Sequence, residues 1–379
     1  MAAETETLPI AIIGGGPAGM ALALALACHG SRGQIFEARA RGAVREDPRI
    51  LALSHGSRQI LEWLGVWRRI AATPIAAIHV SQKGGFGRTR LTALEQGLPA
   101  LGYVATAASV GAALDDALAA AHIPYHDLAR VERVVIGTKS SQLFTASDER
   151  SAQLVIYAEG MMAADAGTVV RDYGQSAVIC TVNTATPHGN VAYERFTTQG
   201  PLALLPSKEE MAVVYTCPAE LAGALANLDD ADFLARLQEH FGTRLKFTAA
   251  SKRRMFPLQL RYRRSPVGQR SVWLGNAAQT LHPVAGQGFN LALRDVWELA
   301  RNLTNAEDPG DARHLTRYAA ARSRDRNATI GFTDALIRLF DNNLPLFREA
   351  RGLGLLALDL LPPLRAFVAR RMIYGARAW

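Results

Sequence analysis

Residues 10–19 read IAIIGGGPAG, and this stretch decides the fold. It opens with four apolar residues, the pattern expected for a short parallel β-strand that is covered on both faces. Three glycines then serve separate purposes: Gly14 permits a tight turn, Gly16 lets the backbone approach a pyrophosphate, and Gly19 lets a helix pack closely on the strand. Pro17 suits the first turn of that helix, whose free amides would face an anion. The stretch therefore predicts a dinucleotide-binding strand, turn and helix.

An acidic residue stands where the next strand should end. Residues 34–36 form a second strand-like run, and Glu37 follows them, about 20 residues beyond the glycines. A carboxylate at this position accepts hydrogen bonds from a ribose 2′-hydroxyl and repels a 2′-phosphate. The motif is typical of both FAD and NAD sites and does not choose between them. A glycine-rich turn that binds nothing is the alternative.

A second motif lies near the other end of the chain. Residues 271–275 resemble a buried strand, and residues 276–290 continue as NAAQTLHPVAGQGFN. Apolar residues then recur at helical spacing from Phe289 to Leu303, which predicts an amphipathic helix. The glycines that open this helix expose amides beside Asn290, and such a group can bind the electron-rich edge of a flavin. This second motif favours FAD.

Composition and charge narrow the class of protein. The chain has 379 residues, 49% hydrophobic and 20% charged, so it can bury one large core or two modest ones. The formal net charge is +8, with arginine clusters at 253–254, 261–264 and 322–326. We expect no nucleic acid partner, because no recognition module accompanies these arginines. A solvated surface, cofactor phosphates or an anionic membrane face would suit them better.

The apolar run from Leu8 to Gly30 is long enough to resemble a membrane span. It has glycines and Pro17 in its middle, and Glu4 and Glu6 precede it where a signal peptide would be basic. We therefore predict neither a transmembrane segment nor export, and expect a cytoplasmic protein. The three cysteines are far apart and lack metal-ligand spacing, so we expect reduced thiols and no metal site.

Residues 272–295 resemble the second FAD motif of the class A flavin monooxygenases, which share the p-hydroxybenzoate hydroxylase-like fold. More narrowly, the run GNAAQTLHP at 275–283 with GQGFN at 286–290 looks like the ubiquinone-biosynthesis hydroxylase branch. Most of the superfamily has Asp and His where this chain has Asn276 and Gln279, but that branch accepts these residues.

Other segments resemble the same branch. Residues 47–54 are similar to the segment whose arginine lies near FAD, and residues 192–197 and 200–206 are similar to strands of the substrate domain. The similarity therefore covers nearly the whole chain.

The resemblance implies an α/β fold in which a Rossmann-like FAD-binding lobe is interleaved with a β-sheet substrate lobe, followed by a C-terminal helical region. The implied FAD-binding lobe comprises residues 1–75, 100–175 and 262–325, the substrate lobe 76–99 and 176–261, and the helical tail 326–379.

The resemblance also implies the site residues. The implied contacts with FAD are Gly14, Gly16, Pro17, Ala18, Gly19, Glu37, Ala38, Arg49, Val134, Glu159, Gly160, Gly275, Asn276, Pro283, Gly286, Gln287, Gly288, Phe289 and Asn290. Pro283 would also shape the oxygen pocket. His282 is the best candidate for a catalytic base, because it lies between the strand and the flavin loop and titrates near neutrality. A histidine placed for structure is the alternative.

The implied chemistry is a ring hydroxylation. NADPH or NADH would reduce FAD without a nicotinamide site of its own, since no second dinucleotide fingerprint occurs. Reduced FAD and O2 would then hydroxylate a prenylated phenol through a C4a-hydroperoxide. A prenyl reductase of the same fold, or a non-catalytic subunit of a ubiquinone-biosynthesis assembly, are the alternatives. A halogenase is not expected, because the tryptophans at 63, 67, 273, 297 and 379 form no WxWxIP segment.

Two departures from the family pattern bear on cofactor affinity. Glu159-Gly160 replaces the usual Asp-Gly, which keeps the charge but lengthens its reach. Residues 111–113 read GAA where the family commonly offers Gln or Arg toward the FAD pyrophosphate. Loss of one charge-assisted hydrogen bond costs about 1.5–3 kcal/mol, so we predict loose FAD binding.

The C-terminal tail is rich in leucine between residues 353 and 361, is broken by Asp359 and Pro362-Pro363, and then becomes rich in arginine. It is too interrupted to span a bilayer. Packing on the main body is one interpretation. Docking on an anionic membrane or on a partner protein is the other, because a polyprenyl substrate dissolves in lipid.

Overall fold

The computed structural model describes residues 7–162, 165–341 and 345–375, and it has the predicted α/β fold. The strands are, in chain order, β1 Thr7–Ile13, β2 Gly33–Phe36, β3 Ile50–Ser54, β4 Ala72–Ile75, β5 Ala77–Gln82, β6 Arg88–Thr92, β7 Gly102–Thr106, β8 Tyr125–His126, β9 Val131–Val135, β10 Ser141–Thr145, β11 Glu149–Tyr157, β12 Thr168–Thr184, β13 Val191–Thr197, β14 Gly200–Ser207, β15 Glu210–Pro218, β16 Phe247–Ala250, β17 Arg254–Arg263, β18 Val267–Gly268, β19 Ser271–Trp273 and β20 Gln279–Thr280. The α-helices are α1 Pro17–Cys28, α2 His55–Trp63, α3 Ala107–Ala120, α4 Ala219–Asn227, α5 Asp230–Phe241, α6 Gly288–Asn302, α7 Ala312–Asp341, α8 Pro345–Leu360 and α9 Pro362–Tyr374.

The first sheet has eight strands and carries the first glycine motif. Its main path runs β18-β19-β11-β1-β2-β8, and β10 and β9 extend it from β11. β1 lies in its interior and pairs in parallel with both β2 and β11. Ile10 and Ile12 pack into the main core, whereas Ala11 and Ile13 pack into a smaller cluster. Burial on both faces explains why this part of the strand is wholly apolar.

The second sheet has nine strands and forms a wall of the central cavity described below. Its order is β20-β17-β12-β15-β14-β13-β5-β6, with β16 beside β12. The β13–β5 pair is parallel and the other pairs of this sheet are antiparallel. Helices α4 and α5 cover one face, where Phe233 and Leu237 pack with Val178 and Val213. The opposite face is therefore free to line a cavity.

A three-stranded sheet, ordered β3-β7-β4, connects the two larger sheets. Strand β3 contacts α6, and β4 contacts β14 of the second sheet. The 282–288 loop before α6 is thereby held between the first sheet and the second.

The C-terminal helices follow the second motif. The predicted boundary at residue 326 falls inside α7, which continues without a break across it. Helices α8 and α9 meet at a bend of 99°. Among the described residues, no single helix is both long and apolar enough to cross a membrane, although this bent pair passes that test by length and composition.

Candidate active site

The first glycine motif meets the second at one edge of the first sheet. Gly14 has a φ of +111°, and a Cβ added there would lie 2.7 Å from the carbonyl carbon of Ala158. Gly275 has a φ of +59°, and its Cβ would lie 3.2 Å from the Cβ of Ala18. These two glycines allow the end of β11, the start of α1 and the second motif to approach one another.

The start of α1 is an open cradle. A Cβ added at Gly16 would meet no atom within 4 Å. Gly16 caps α1 without a side-chain hydrogen bond and Pro17 occupies the first turn, so the first amides of the helix are available to an anion. Gly19 serves packing instead, because its Cβ would lie 2.1 Å from the carbonyl oxygen of Gly14.

One carboxylate, that of Glu37, binds the turn before this cradle. Glu37 accepts hydrogen bonds from the Gly15 amide at 2.7 Å and from the Arg39 amide and guanidinium at 3.0 Å. Burial alone would raise the pKa of Glu37, but these hydrogen bonds hold it below its ordinary value. Burial raises the pKa of Glu159, Arg130 opposes this shift, and the charge of Glu37 adds to it. Glu37 is thus an ionised acceptor next to the cradle, with Glu159 within electrostatic reach.

The Arg49 side chain is engaged within its own segment. Its guanidinium binds Asp47 at 2.6 Å and is half exposed. Asp47 in turn feels the charge of Arg39, which places this pair near the first motif. Ala38 lies exposed next to Glu37.

Val134 and Gly160 occupy different surroundings. Val134, on β9, is half-buried and packs against the cluster that contains Phe36 and Val155, so its side chain serves the core. The Gly160 carbonyl oxygen accepts a hydrogen bond from the Asn276 side chain at 3.4 Å, which ties the end of β11 to the second motif.

Asn290 fixes the 282–288 loop to β3. Its Oδ1 accepts hydrogen bonds from the Ser54 amide at 2.8 Å and the Ser57 hydroxyl at 2.7 Å. Its Nδ2 donates to the carbonyl oxygens of Ala52 and Gly286, at 2.8 and 2.7 Å. The Asn290 amide is therefore fully engaged with the protein, and its side chain positions the loop.

The backbone amides at the start of α6 remain for an anionic ligand. Gln287 occupies the N-cap position without a side-chain cap hydrogen bond, and its Nε2 donates to the Met372 carbonyl at 3.3 Å instead. Gly286 has a φ of +58° and lies against β3. Gly288 and Phe289 open the helix, so their amides have no partner within it.

His282 lies buried at the start of the 282–288 loop. It is 1% exposed, and its Nδ1 accepts a hydrogen bond from the Val284 amide at 3.1 Å. Burial lowers the pKa of His282 to about 4, so the ring is neutral at pH 7. It does not line the central cavity, whereas Pro283 does. The Nδ1 of His282 is thus occupied, whereas its Nε2 has no hydrogen-bond partner among the described residues, so the role of His282 as a base stays a prediction.

A central cavity of about 460 Å³ lies between the second sheet, the 282–288 loop and helices α7, α8 and α9. Its walls are almost entirely apolar. The sheet contributes Ile78, Val80, Ala192, Phe196, Ala203, Leu205 and Val214, the loop contributes Pro283, Val284, Gly286 and Gln287, and the helices contribute residues such as Leu336, Leu355, Leu358, Val368, Ala369 and Met372.

Comparison with known proteins identifies the chain. The family model described as FAD binding domain matches residues 7–333. The chain belongs to this family. The 3-demethoxyubiquinol 3-hydroxylase of Escherichia coli is 32% identical, over 92% of this chain and 94% of that protein. The ubiquinone hydroxylase UbiL of Rhodospirillum rubrum is 31% identical, over 95% of this chain and 88% of that protein.

The solved structure of p-nitrophenol 4-monooxygenase PnpA from Pseudomonas putida has the same fold. It superimposes with a TM-score of 0.76 at 16% identity, covering 97% of this chain and 98% of that one. The chain is a flavoprotein monooxygenase that uses FAD. The predicted fold class, cofactor, enzyme class and resemblance are thereby confirmed.

The residues present fit FAD. The open cradle at Gly16 suits a pyrophosphate, ionised Glu37 suits a ribose hydroxyl, and the amides at the start of α6 suit the electron-rich edge of a flavin. One contact common in the family is absent from α3. A Cβ at Gly111 would contact the Val44 side chain too closely, so a larger residue there would require Val44 to shift. The monooxygenase binds FAD without that side chain.

Part of the arginine-rich cluster at 322–326 is buried, which corrects the expectation of a surface or phosphate-binding role. Arg322 and Arg326 are 5% and 3% exposed. Arg322 binds Asp295 at 2.6 Å, and Arg326 donates to the Gln279 Oε1 at 2.8 Å. The Gln279 amide also donates to Asp295 at 2.8 Å, so Gln279 joins the second motif to α6 and α7.

Sequence reasoning missed Glu194, which lies on the cavity face of β13. Its neighbours across the sheet are Val80 on β5 and Ala203 on β14, and both line the same cavity. Within the part of the chain that the structure describes, the Glu194 Oε1 has no hydrogen-bond partner. Burial raises the pKa of Glu194 to about 8. Glu194 itself lines the cavity. No local pattern marks it, because its burial depends on helices more than 150 residues away.

Proposed function

We propose that this monooxygenase hydroxylates the aromatic ring of a prenylated phenol in ubiquinone biosynthesis. The central cavity carries this proposal, because it combines an apolar wall for a prenyl chain with one carboxyl group for a phenolic hydroxyl. Its volume of about 460 Å³ lies within the range of small-molecule sites. The names of the two curated relatives support the choice of pathway.

In this proposal Glu194 orients the aromatic ring. With a pKa of about 8, its carboxyl group is mostly protonated at pH 7, so it can both donate to and accept from a phenolic hydroxyl. Its neighbours Val80, Ala203 and Val214 present no competing polar group. A phenol bound to Glu194 would therefore be held in one orientation while its ring contacts the apolar walls.

FAD, when bound, supplies the reducing equivalents and the activated oxygen. The chain holds the cofactor and shapes the space in which the substrate meets it. The amides at Gly288 and Phe289 would stabilise negative charge on the ring, and Pro283 would form the wall of the oxygen pocket. The apolar lining would keep water away from the reacting atoms.

NADPH or NADH is the proposed electron donor. Among the described residues, one strand–turn–helix has the dinucleotide-binding glycine spacing, at the end of β1 and the start of α1, and FAD fits it. The nicotinamide donor would therefore react from the cavity side or from solvent. This supports a donor that binds only transiently.

The proposal is tested by measuring NAD(P)H oxidation by the FAD-loaded protein with and without a short-chain prenylated phenol. We expect the prenylated phenol to accelerate oxidation, and an unprenylated phenol to do so less, because it fills less of the cavity. Product mass separates the alternatives: a hydroxylase adds one oxygen atom, whereas a prenyl reductase adds two hydrogens. No acceleration by any phenol, with FAD bound, would contradict the proposal and favour a non-catalytic subunit.

A cytoplasmic location next to the inner face of the membrane, and contact with other ubiquinone-biosynthesis proteins, belong to the same proposal. The apolar cavity supports the first, since a prenylated substrate partitions into lipid. Cell fractionation with a tagged chain, followed by affinity purification of the membrane-bound and free fractions, checks both. Recovery of the chain only in the free fraction and alone would contradict them.

A further inference from the structure

Helices α8 and α9 have two differently used faces. The inner faces line the central cavity with Leu355 and Leu358 on α8 and with Val368 and Met372 on α9. The outer residues recur at the same helical spacing but do not line the cavity. These outer residues, which we call the elbow, are Leu353, Leu356, Leu360, Leu361, Leu364 and Phe367.

The elbow exposes six large apolar side chains. Leu360 is 66% exposed, Leu353 58% and Leu361 52%, and the other three are 37–49% exposed. Leu94, which is 89% exposed, lies beside it, because Arg365 of α9 binds Glu95 at 2.9 Å. Contiguous exposed apolar patches of this kind mark interaction surfaces.

Two arginines border the elbow on α9, and one exposed carboxylate, that of Asp359, lies within it. Arg370 is exposed and Arg371 is half-buried on the following turns of α9. The Arg365 guanidinium is engaged by Glu95 and by the Asp359 carbonyl oxygen at 2.6 Å, and the Asp359 carboxylate is the acidic group at the bend. An apolar face bordered by arginines is the pattern of a helix pair that lies in a membrane interface.

We propose that the elbow inserts into the surface of a lipid bilayer, so that the α8–α9 wall of the cavity faces the phase in which a prenylated substrate dissolves. The choice of a bilayer over a protein rests on the proposed function, because the same two helices line the proposed substrate cavity from inside. Insertion would be shallow, to the boundary between headgroups and acyl chains, since α8 and α9, with 16 and 13 residues, are each too short to span and are bent by 99°.

The test is co-sedimentation of the FAD-loaded full chain with phosphatidylcholine vesicles, with and without phosphatidylglycerol. The elbow variant carries Leu353→Gln, Leu360→Gln and Leu364→Gln. The matched control carries Leu128→Gln, Leu221→Gln and Met161→Gln, three exposed apolar residues on other surfaces. We expect the wild type and the control to bind both kinds of vesicle, and the elbow variant to bind at least about tenfold less, because it loses apolar area.

Salt identifies the nature of the contact. Binding through the elbow should survive about 1 M salt, where charges are screened within about 3 Å. Binding that salt abolishes and that the elbow variant retains would overturn the proposal, since it would reflect only the net positive charge. Absence of vesicle binding together with an oligomer that the elbow variant dissociates would also overturn it, and would assign the surface to a second copy of the chain.

Vesicle binding and hydroxylation are measured separately, so the failure of one proposal can be told from the failure of the other. The elbow residues lie outside the cavity, so both variants should oxidise NAD(P)H with a water-soluble short-chain prenylated phenol as the wild type does. Vesicle binding without hydroxylation would leave the elbow standing and refute the proposed function. Hydroxylation without vesicle binding would leave the proposed function standing and refute membrane insertion by the elbow.

Discussion

Glu194 shows how one side chain gives an apolar cavity its selectivity. It is the acidic member of the cavity-facing row that runs from Thr89 through Val80 and Glu194 to Ala203 and Val214. A buried carboxyl group without a partner is costly, and such groups usually serve a ligand or a reaction. Among the residues that the structure describes, the Thr89 hydroxyl of the same row also lacks a hydrogen-bond partner, and it offers a matched comparison.

Glu194→Leu should weaken binding of a prenylated phenol about ten- to a hundredfold, because an unsatisfied hydroxyl in an apolar site costs about 1–3 kcal/mol. Glu194→Gln should lose much less, since an amide still donates and accepts. The measurement is the dissociation constant from the perturbed flavin absorbance. Thr89→Val is the control and should stay within about threefold of wild type, within the lower range of a single hydrogen bond. Equal losses of phenol affinity in Glu194→Leu and Thr89→Val would refute the role of Glu194 in binding the phenolic hydroxyl.

Glu194 should also make stability depend on pH. Its pKa is raised in the folded protein to about 8, above its ordinary value near 4.5, so the folded state keeps a proton that the unfolded state has released. Its contribution is therefore fully present below the unfolded pKa and is lost as pH rises through about 8. Denaturant titrations from pH 5 to pH 9 should show the unfolding free energy of wild type falling relative to Glu194→Gln. If the difference in unfolding free energy between the two proteins did not change with pH, the raised pKa of Glu194 would be contradicted.

At the scale of single elements, the turn between β1 and α1 separates packing from cofactor binding. Gly16→Ala should fold normally, because its added Cβ meets no protein atom, but it should weaken FAD binding by filling the cradle. Gly14→Ala should lower the melting temperature even without FAD, because its Cβ would clash with the Ala158 backbone at a φ of +111°. FAD titration and thermal unfolding of the FAD-free proteins distinguish the two. A Gly16→Ala variant with wild-type FAD affinity would show that the cradle is not the pyrophosphate site.

Helices α6 and α7 are joined by a buried ion network. Asp325 is fully buried and accepts hydrogen bonds from Arg294 at 2.8 Å and Arg322 at 2.7 Å. Asp325→Asn should cost about 3–5 kcal/mol of unfolding free energy, because it leaves buried guanidinium charge uncompensated. Asp311→Asn removes an exposed pair with Arg313 and should leave the unfolding free energy nearly unchanged, because solvent screens this pair. If denaturant titrations showed similar losses of unfolding free energy in Asp325→Asn and Asp311→Asn, the assignment of Asp325 to a buried ion network would be contradicted.

At the scale of the whole molecule, the sequence predicts best what is encoded locally. The glycines at 14, 16 and 19 specify one turn, and the run at 286–290 specifies the start of one helix, so the cofactor and the α/β fold could be inferred from them. His282 could not be assigned in this way, because its pattern is the same whether it caps a turn or meets a substrate. The structure buries the ring and occupies its Nδ1, which favours the structural interpretation.

Features that depend on distant parts of the chain escaped prediction. Arg322 and Arg326 look like surface charge until α7 is placed against α6 and the second motif. Glu194 looks like an ordinary strand residue until α8 and α9 close the cavity around it. Contacts with distant parts of the chain bury these side chains, and no local pattern in the sequence predicts those contacts.

The affinity for FAD depends on several separate segments of the molecule. Because Gly111 provides no pyrophosphate-binding side chain on α3, the prediction of loose FAD binding stands and is checked by dialysis of the FAD-loaded protein. Free FAD at a hundredfold excess over its dissociation constant should stabilise the fold by about 2.7 kcal/mol. Stoichiometric flavin after extensive dialysis would contradict loose binding, though not the cofactor itself.

The most direct test of aromatic hydroxylation follows the oxygen atom. The FAD-loaded protein is given NAD(P)H and a short-chain prenylated phenol under ¹⁸O2, and the product is analysed by mass spectrometry with fragmentation of the ring. We predict a product that carries one ¹⁸O atom on the aromatic ring. A product reduced in its prenyl chain, or NAD(P)H oxidation that yields only hydrogen peroxide at every phenol tried, would contradict the assignment as an aromatic hydroxylase.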